Sequence, residues 1–236
     1  GDAVNRVRDR LDAEWQVTRL FDQADRAGFL AARGADFLGV VTDGHWGVPA
    51  DVLAACPNLR VAASYGVGYD AIDTDACNAR GIAVSHTPGV LNDDVADTAI
   101  LLWLAVFRQL IPADRWARSG AWETQGSFPL TRAVRGSTMG IVGLGRIGQT
   151  IAARAAAFGA QVVYHARTAK PVDYRYYPDL VAMAQASDTL VCITPGGSET
   201  RHLVNAPVLE ALGPRGVLIN VARGSVVDDS ALVAAL

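Results

Sequence analysis

Short runs of consecutive apolar residues alternate with stretches of helical periodicity along the chain, the rhythm of an α/β protein built on parallel sheets. Phe37–Thr42, Leu59–Ser64 and Ile82–Ser85 read as short buried strands, with helices over Pro49–Ala55 and Asp73–Arg80 between them. Pro49 suits a first helical turn and Gly81 a stop. The motif His86-Thr87-Pro88-Gly89 marks a boundary, so a first domain is expected over 1–88 and a second over 89–236. The second opens with a long helix that Asn92 caps and Pro112 ends, running through Leu110, with Asp93 and Asp94 complementing its dipole. Residues 119–137, rich in Gly, Ser, Thr and Trp, read as an irregular arm. Strands follow at Ser137–Leu144, Val162–His165, Thr189–Thr194 and Val217–Val221, and helices at Arg146–Phe158, roughly Tyr177–Ala186, and Ala206–Leu212. Asp228, Asp229 and Ser230 start a last helix that has no stop signal, and Val217–Val221 is an apolar strand that expects a neighbour. A C-terminally truncated chain is the expectation.

Composition narrows the class. The chain has 236 residues, half of them hydrophobic and 19% charged, with 21 Lys+Arg against 24 Asp+Glu. A net charge of −3 without a dense basic block argues against nucleic acid. The longest apolar run, Ala99–Phe107, is well short of the roughly 20 residues that span a bilayer, and no secretory signal opens the chain. Cys56, Cys77 and Cys192 are odd in number and scattered, which gives neither a disulfide framework nor metal spacing. A cytoplasmic setting without membrane or metal is expected.

One motif carries chemistry by itself. Gly143-Leu144-Gly145-Arg146-Ile147-Gly148 is GxGxxG, it follows the apolar Met139–Val142, and it opens a helix, which is the context that dinucleotide binding requires. Gly143 permits the tight turn, Gly145 lets a pyrophosphate approach the backbone, and Gly148 allows close helix–strand packing. The helix N-terminus then meets the phosphate charge. An ordinary glycine-rich turn is the alternative. An acid on the ribose 2′-hydroxyl would be expected near the end of the next strand, yet no carboxylate occupies 163–168. Arg167 and Thr168 stand there instead and suit a 2′-phosphate, so NADP(H) is favoured over NAD(H).

The chain resembles the D-isomer-specific 2-hydroxyacid dehydrogenases, and within them the glyoxylate/hydroxypyruvate reductase branch. The resemblance rests on Ser64-Tyr65-Gly66-Val67-Gly68-Tyr69-Asp70, on Asn92-Asp93-Asp94-Val95-Ala96-Asp97, on the glycine turn, and on Asn220-Val221-Ala222-Arg223-Gly224 leading into Val227-Asp228. It implies a flavodoxin-like substrate domain followed by a Rossmann-type doubly wound nucleotide-binding domain, with the substrate between them. It implies that the backbone N–H groups of Val67 and Gly68 clamp the substrate carboxylate, and that Arg223 binds carboxylate and carbonyl together. Arginine's planar fork suits that role; a structural ion pair is the other use of such a residue. It also places the backbone of Arg146 and Ile147 at the pyrophosphate, Thr194, Pro195 and Thr200 near the ribose and phosphates, and Val221 and Ala222 near the nicotinamide. Thr98, facing inward from the long helix, is a further contact.

The resemblance also implies a histidine acid and a glutamate beyond Arg223, which the 13 residues that follow do not contain. His45, His86, His165 and His202 read as structural or solvated. Asp70, Asp73 and Asp75 read as helix-start residues rather than a metal site, and Cys192 as a small buried hydrophobe. Trp103, Trp116 and Trp122 flank the arm and bury either in the core or in a homodimer formed through 89–137. The expected activity is hydride transfer from NADPH to a small 2-oxo acid such as glyoxylate or hydroxypyruvate. Alternatives are phosphoglycerate, formate or a bulkier oxo acid as the substrate, and a non-catalytic dinucleotide-sensing protein.

Overall fold

A computed structural model describes residues 2–236, which divide into two compact units. The first holds the chain through Tyr65 together with Ala71–Ser85; the second holds Gly66–Asp70 and His86–Leu236. The strip Gly66–Asp70 therefore packs with residues that follow it by many positions, rather than with the strands on either side of it.

The first unit contains α1 (Asp2–Glu14), α2 (Arg26–Arg33), β1 (Gly39–Thr42), α3 (Ala50–Ala55), β2 (Val61–Ser64), α4 (Thr74–Ala79) and β3 (Ala83–Ser85). Its strands form a parallel sheet in the order β1-β2-β3. Leu30, Val52, Leu53, Leu59, Ile72 and Ile82 make its core. Asp73 caps α4 by accepting from the Ala76 N–H at 2.8 Å, and Gly81 follows the helix at φ +69°. Pro49 stands one residue before α3, as its N-cap. The Arg80 guanidinium donates to the carbonyls of Leu53 and Cys56, satisfying the acceptors that the end of α3 leaves open. Neither α1 nor α2 is announced by the apolar pattern, although Asp25 caps α2 by accepting from Gly28 N–H.

The second unit contains α5 (Asn92–Phe107), α6 (Leu110–Arg118), α7 (Ala121–Gln125), β4 (Thr138–Val142), α8 (Arg146–Ala157), β5 (Gln161–His165), β6 (Arg175–Tyr176), α9 (Leu180–Gln185), β7 (Thr189–Cys192), α10 (Ala206–Leu212), β8 (Val217–Asn220) and α11 (Asp229–Ala235). Its five parallel strands lie in the order β6-β5-β4-β7-β8. The chain moves outward from β4 through β5 to β6, then returns to lay β7 on the other side of β4. That reversal is the switch point of a doubly wound sheet.

Both faces of this sheet are covered, which is why β4 and β7 read as unbroken apolar runs. Met139 and Ile141 point to a core with Trp103, Phe107, Ile151 and Tyr164. Val142 points to another with Val163, Met183, Leu190 and Val208. Gly140 shares that second face, where a Cβ would stand 2.6 Å from Ser187 Oγ and 2.8 Å from Leu190 Cδ2. Across the first face, Arg154 of α8 pairs with Asp93 at 2.8 Å and Asp97 at 2.9 Å, tying α8 to α5.

Three local expectations are corrected. Asn92 is the first residue of α5 and the N-cap is Leu91, which offers no side-chain acceptor. The long helix stops at Phe107 because Gln109 adopts a left-handed conformation (φ 47°), and Pro112 lies in the first turn of α6, where its missing N–H costs nothing. The two helices meet at a 60° bend. Residues 119–137 are not wholly irregular, since α7 occupies Ala121–Gln125. Among the described residues no single helix is long and apolar enough to cross a membrane.

Trp103 is fully buried, and Trp103→Ala is expected to lower the urea stability of this unit by about 3–5 kcal/mol. Cys192 lies on β7 with no solvent exposure, and burial pushes its thiol pKa from 9.0 up to about 12. The unfolded thiol ionises first, so the contribution of the neutral buried form is complete below pH 9.0 and is lost as pH rises toward about 12. Alkylation of Cys192 at neutral pH, read by mass spectrometry, should require unfolding.

Candidate active site

The turn after β4 is built around a close approach of backbone to backbone. Gly143 continues β4 with its N–H donating to His165 O of β5 at 2.9 Å, then turns at φ +102°, a conformation that favours glycine. A Cβ at Gly148 would stand 2.3 Å from the Gly143 carbonyl oxygen, so the first turn of α8 sits directly on the end of β4. Gly145 is different. It is the N-cap of α8 with φ −85°, and a Cβ there would meet nothing within 4 Å. The first N–H groups of α8, from Arg146 and Ile147, have no acceptor inside the helix. Open space before a helix N-terminus is what a pyrophosphate needs.

The neighbouring strand supplies a second feature of the same edge. Thr194 follows β7, and its Cγ2 would lie 3.0 Å from a Cβ at Gly143. Its Oγ1 is buried without a hydrogen-bond partner, a condition that a polar ligand group at this edge would relieve. Thr200 is already engaged, donating to Pro195 O at 2.7 Å, so its hydroxyl closes the 195–200 loop. Arg167 and Thr168, past the end of β5, are exposed, and the Arg167 side chain reaches Glu199 at 3.4 Å. Its exposure keeps that pair weak. The open Gly145 face, the orphaned Thr194 hydroxyl and the exposed positive charge of Arg167 together fit a dinucleotide.

Beyond β8 the chain is pinned into a turn by Asn220. The Asn220 Oδ1 accepts from Ala222 N–H at 3.0 Å, while its Nδ2 donates to Arg223 O at 2.8 Å. Val221 N–H still donates to Cys192 O of β7 at 3.1 Å. Arg223 thus leaves the C-terminal end of the sheet with its backbone held. Its Nη2 donates to Asp70 Oδ1 at 2.9 Å, its Nε to Asp70 Oδ2 at 3.2 Å, and its Nη1 to Ala222 O at 3.0 Å. Gly68 lies against the fork, since a Cβ there would come 1.7 Å from Nη2. Val67 is held from behind, its carbonyl 2.9 Å from His86 Nδ1.

Val67, Gly68 and Arg223 are therefore brought together. Gly143 to Gly148, Thr194 and Pro195 gather at the β4 and β7 ends of the same sheet, with Val221 and Ala222 at the adjoining end of β8. Thr98 departs from expectation. It is exposed, and its hydroxyl donates to Asp94 O at 2.8 Å within its own helix, because Ala96, Ala99 and Ile100 occupy the inward stripe of α5. Sequence reasoning placed Asn220 in its motif without a bracing role, missed Glu199, and read Asp70 as a helix-start residue. That role belongs to Asp73. The histidines are engaged locally: His165 Nδ1 lies 2.9 Å from Tyr177 O, and His202 3.7 Å from Asp228.

A parallel sheet whose glycine turn sits beside its switch point, with open donors before α8, defines a Rossmann-type nucleotide-binding unit. The comparisons agree. Residues 100–236 match the family model described as D-isomer specific 2-hydroxyacid dehydrogenase, NAD binding domain. The chain is 43% identical over 231 residues to a glyoxylate/hydroxypyruvate reductase of Arabidopsis thaliana, covering 98% of this chain and 74% of the relative. A hydroxyphenylpyruvate reductase of Plectranthus scutellarioides is 42% identical with the same coverage. The solved NADPH-dependent glyoxylate/hydroxypyruvate reductase of Sinorhizobium meliloti, in complex with NADP and malonate, superposes with a TM-score of 0.89 at 46% identity, covering 98% of this chain and 72% of that one. The chain belongs to the D-isomer specific 2-hydroxyacid dehydrogenase family, and its activity is that of a 2-hydroxyacid dehydrogenase.

The glycines separate folding from binding. Gly145→Ser should leave urea stability within about 0.5 kcal/mol while weakening dinucleotide binding by about tenfold, as its side chain enters the phosphate approach. Gly148→Ala should instead cost about 1–3 kcal/mol by forcing α8 off the strand. Equal loss of stability in the two variants would contradict this division of roles.

Proposed function

We propose that the protein reduces a small 2-oxo acid, glyoxylate or hydroxypyruvate, to the D-2-hydroxy acid, with NADPH as the preferred cofactor. The observation that carries the reading is Arg223, a fixed cation at the end of β8 with Gly68 against its fork. A 2-oxo acid presents a carboxylate and an adjacent carbonyl oxygen, and a planar fork binds both while stabilising the charge that develops on the carbonyl oxygen. The backbone N–H groups of Val67 and Gly68 hold the far carboxylate oxygen. NADPH, when bound, supplies the hydride to the carbonyl carbon, and a proton drawn from solvent completes the hydroxyl on the carbonyl oxygen. Gly143 to Gly148 hold its pyrophosphate, through the N–H groups of Arg146 and Ile147, with Leu144 shaping the turn. Thr194, Pro195 and Thr200 flank its ribose and phosphates, and the backbone of Val221 and Ala222 lies toward its reactive ring.

Support for the phosphorylated cofactor comes from Arg167 and Thr168, from the lack of a carboxylate between residues 163 and 168, and from the NADP in the Sinorhizobium meliloti relative. In this reading residues 89–236 are the cofactor domain and 1–88 the substrate domain. Relatives named hydroxyphenylpyruvate and 2-ketogluconate reductases make a panel of oxo acids the way to rank substrates. A homodimer through 89–137 is part of the proposal, because Leu101, Val106, Ile111, Trp122 and Leu130 are exposed there. The three unpaired buried cysteines suit a reducing, cytoplasmic compartment.

The test is the affinity for NADPH and NADH side by side, with Arg167→Ala as the control. NADPH should bind about tenfold tighter, and the advantage should vanish in the variant. Equal affinities in the parent protein would overturn the cofactor preference.

A further inference from the structure

Arg223 does not stand alone, and its partner has no role in the reading above. Asp70 meets it side-on, with one carboxylate oxygen on Nε at 3.2 Å and the other on Nη2 at 2.9 Å. A guanidinium carries five N–H donors in a fixed plane. Asp70 and Ala222 O take one donor from each nitrogen, which leaves a second hydrogen on Nη1 and on Nη2. Those two terminal nitrogens form the edge opposite the chain, where a bidentate anion binds. Space for the pair is cleared by two glycines. A Cβ at Gly68 would stand 1.7 Å from Nη2, and one at Gly196 would stand 2.4 Å from Asp70 Oδ2 and 3.0 Å from Arg223 Cγ.

We infer that Asp70 is a positioning residue: its carboxylate fixes the plane of the Arg223 guanidinium so that the opposite edge is presented to the 2-oxo acid. The inference rests on the assignment of Arg223 to substrate. The side chains are 21% and 37% exposed, Asp70 and Arg223 respectively, and at that exposure an ion pair adds little to stability. Its effect lies elsewhere. A long arginine side chain loses rotamer freedom when it binds a ligand, and a fork already held in plane loses less. Asp70 also offsets the charge of Arg223, so a substrate carboxylate meets an oriented pair of donors rather than a free cation. Asparagine would keep one acceptor but turn an NH2 group toward the guanidinium, donor against donor, and the fork would swing. Glutamate would keep both oxygens on a stem one methylene longer, pressing them toward Gly196.

The experiment uses the full chain, with glyoxylate as substrate and NADPH as cofactor. Asp70→Asn should raise KM for glyoxylate and lower kcat, each by about tenfold, with the affinity for NADPH within about twofold of the parent and the urea midpoint unchanged. Asp70→Glu should recover part of the loss, because it restores a bidentate acceptor. An unchanged or lowered KM in Asp70→Asn would overturn the inference, and so would a parallel loss of NADPH affinity and stability, which marks a merely structural role. Arg223→Gln separates the two levels. If that variant turns over glyoxylate normally, the assignment of Arg223 to substrate fails and Asp70 falls with it; if it is crippled while Asp70→Asn is normal, only the positioning role is lost.

Discussion

The approach of Gly148 to the carbonyl of Gly143 is the contact on which the second unit depends. With 2.3 Å between that oxygen and any Cβ at position 148, α8 can start with only three residues between it and the end of β4, the Gly143–Gly145 turn. That fixes the angle at which α8 crosses the sheet, and α8 in turn carries α5 through Arg154 and its two aspartates. The same geometry aims the free end of α8 outward, past the open position of Gly145. Folding and cofactor recognition thus share one turn, and its three glycines answer to three different constraints.

A parallel sheet places every strand's C-terminal end on one edge, so the functional groups converge without any long-range design. The glycine turn follows β4, Thr194 follows β7, and Arg223 follows β8. These strands are consecutive in the order β4-β7-β8. The reversal of the chain between β6 and β7 opens room beside β4, and Thr194 brings a buried hydroxyl without a partner to it. At the far end of the edge, Asn220 holds the backbone of Arg223 while Asp70 holds its side chain, so the cation is constrained from both ends.

Much of this could be read from the sequence where the signal is local. The strand–glycine–helix context of β4 and α8, the bounds of α10, the cap at Asp73 and the cap of α11 at Asp228 all lie within a few residues of their cause. The misses have physical reasons of their own. The left-handed Gln109 that separates α5 from α6 has no glycine to announce it, and Pro112 serves equally well as a stop or as a first-turn residue. Thr98 was misplaced because α5 is apolar nearly all round, which leaves its buried stripe undefined by pattern. The partner of Arg223 lies 153 residues away, and no periodicity reaches that far. The strip Gly66–Asp70 joins the second unit only once the chain has folded.

The central claim is that a dinucleotide seats its pyrophosphate on the first turn of α8. Amide chemical-shift mapping on the nitrogen-labelled protein during NADPH titration tests it most directly. The account predicts that the largest saturable shifts fall on Gly145, Arg146 and Ile147, with Thr194 moving in step. Saturable binding that leaves these amides unmoved, and shifts a different surface, would contradict it.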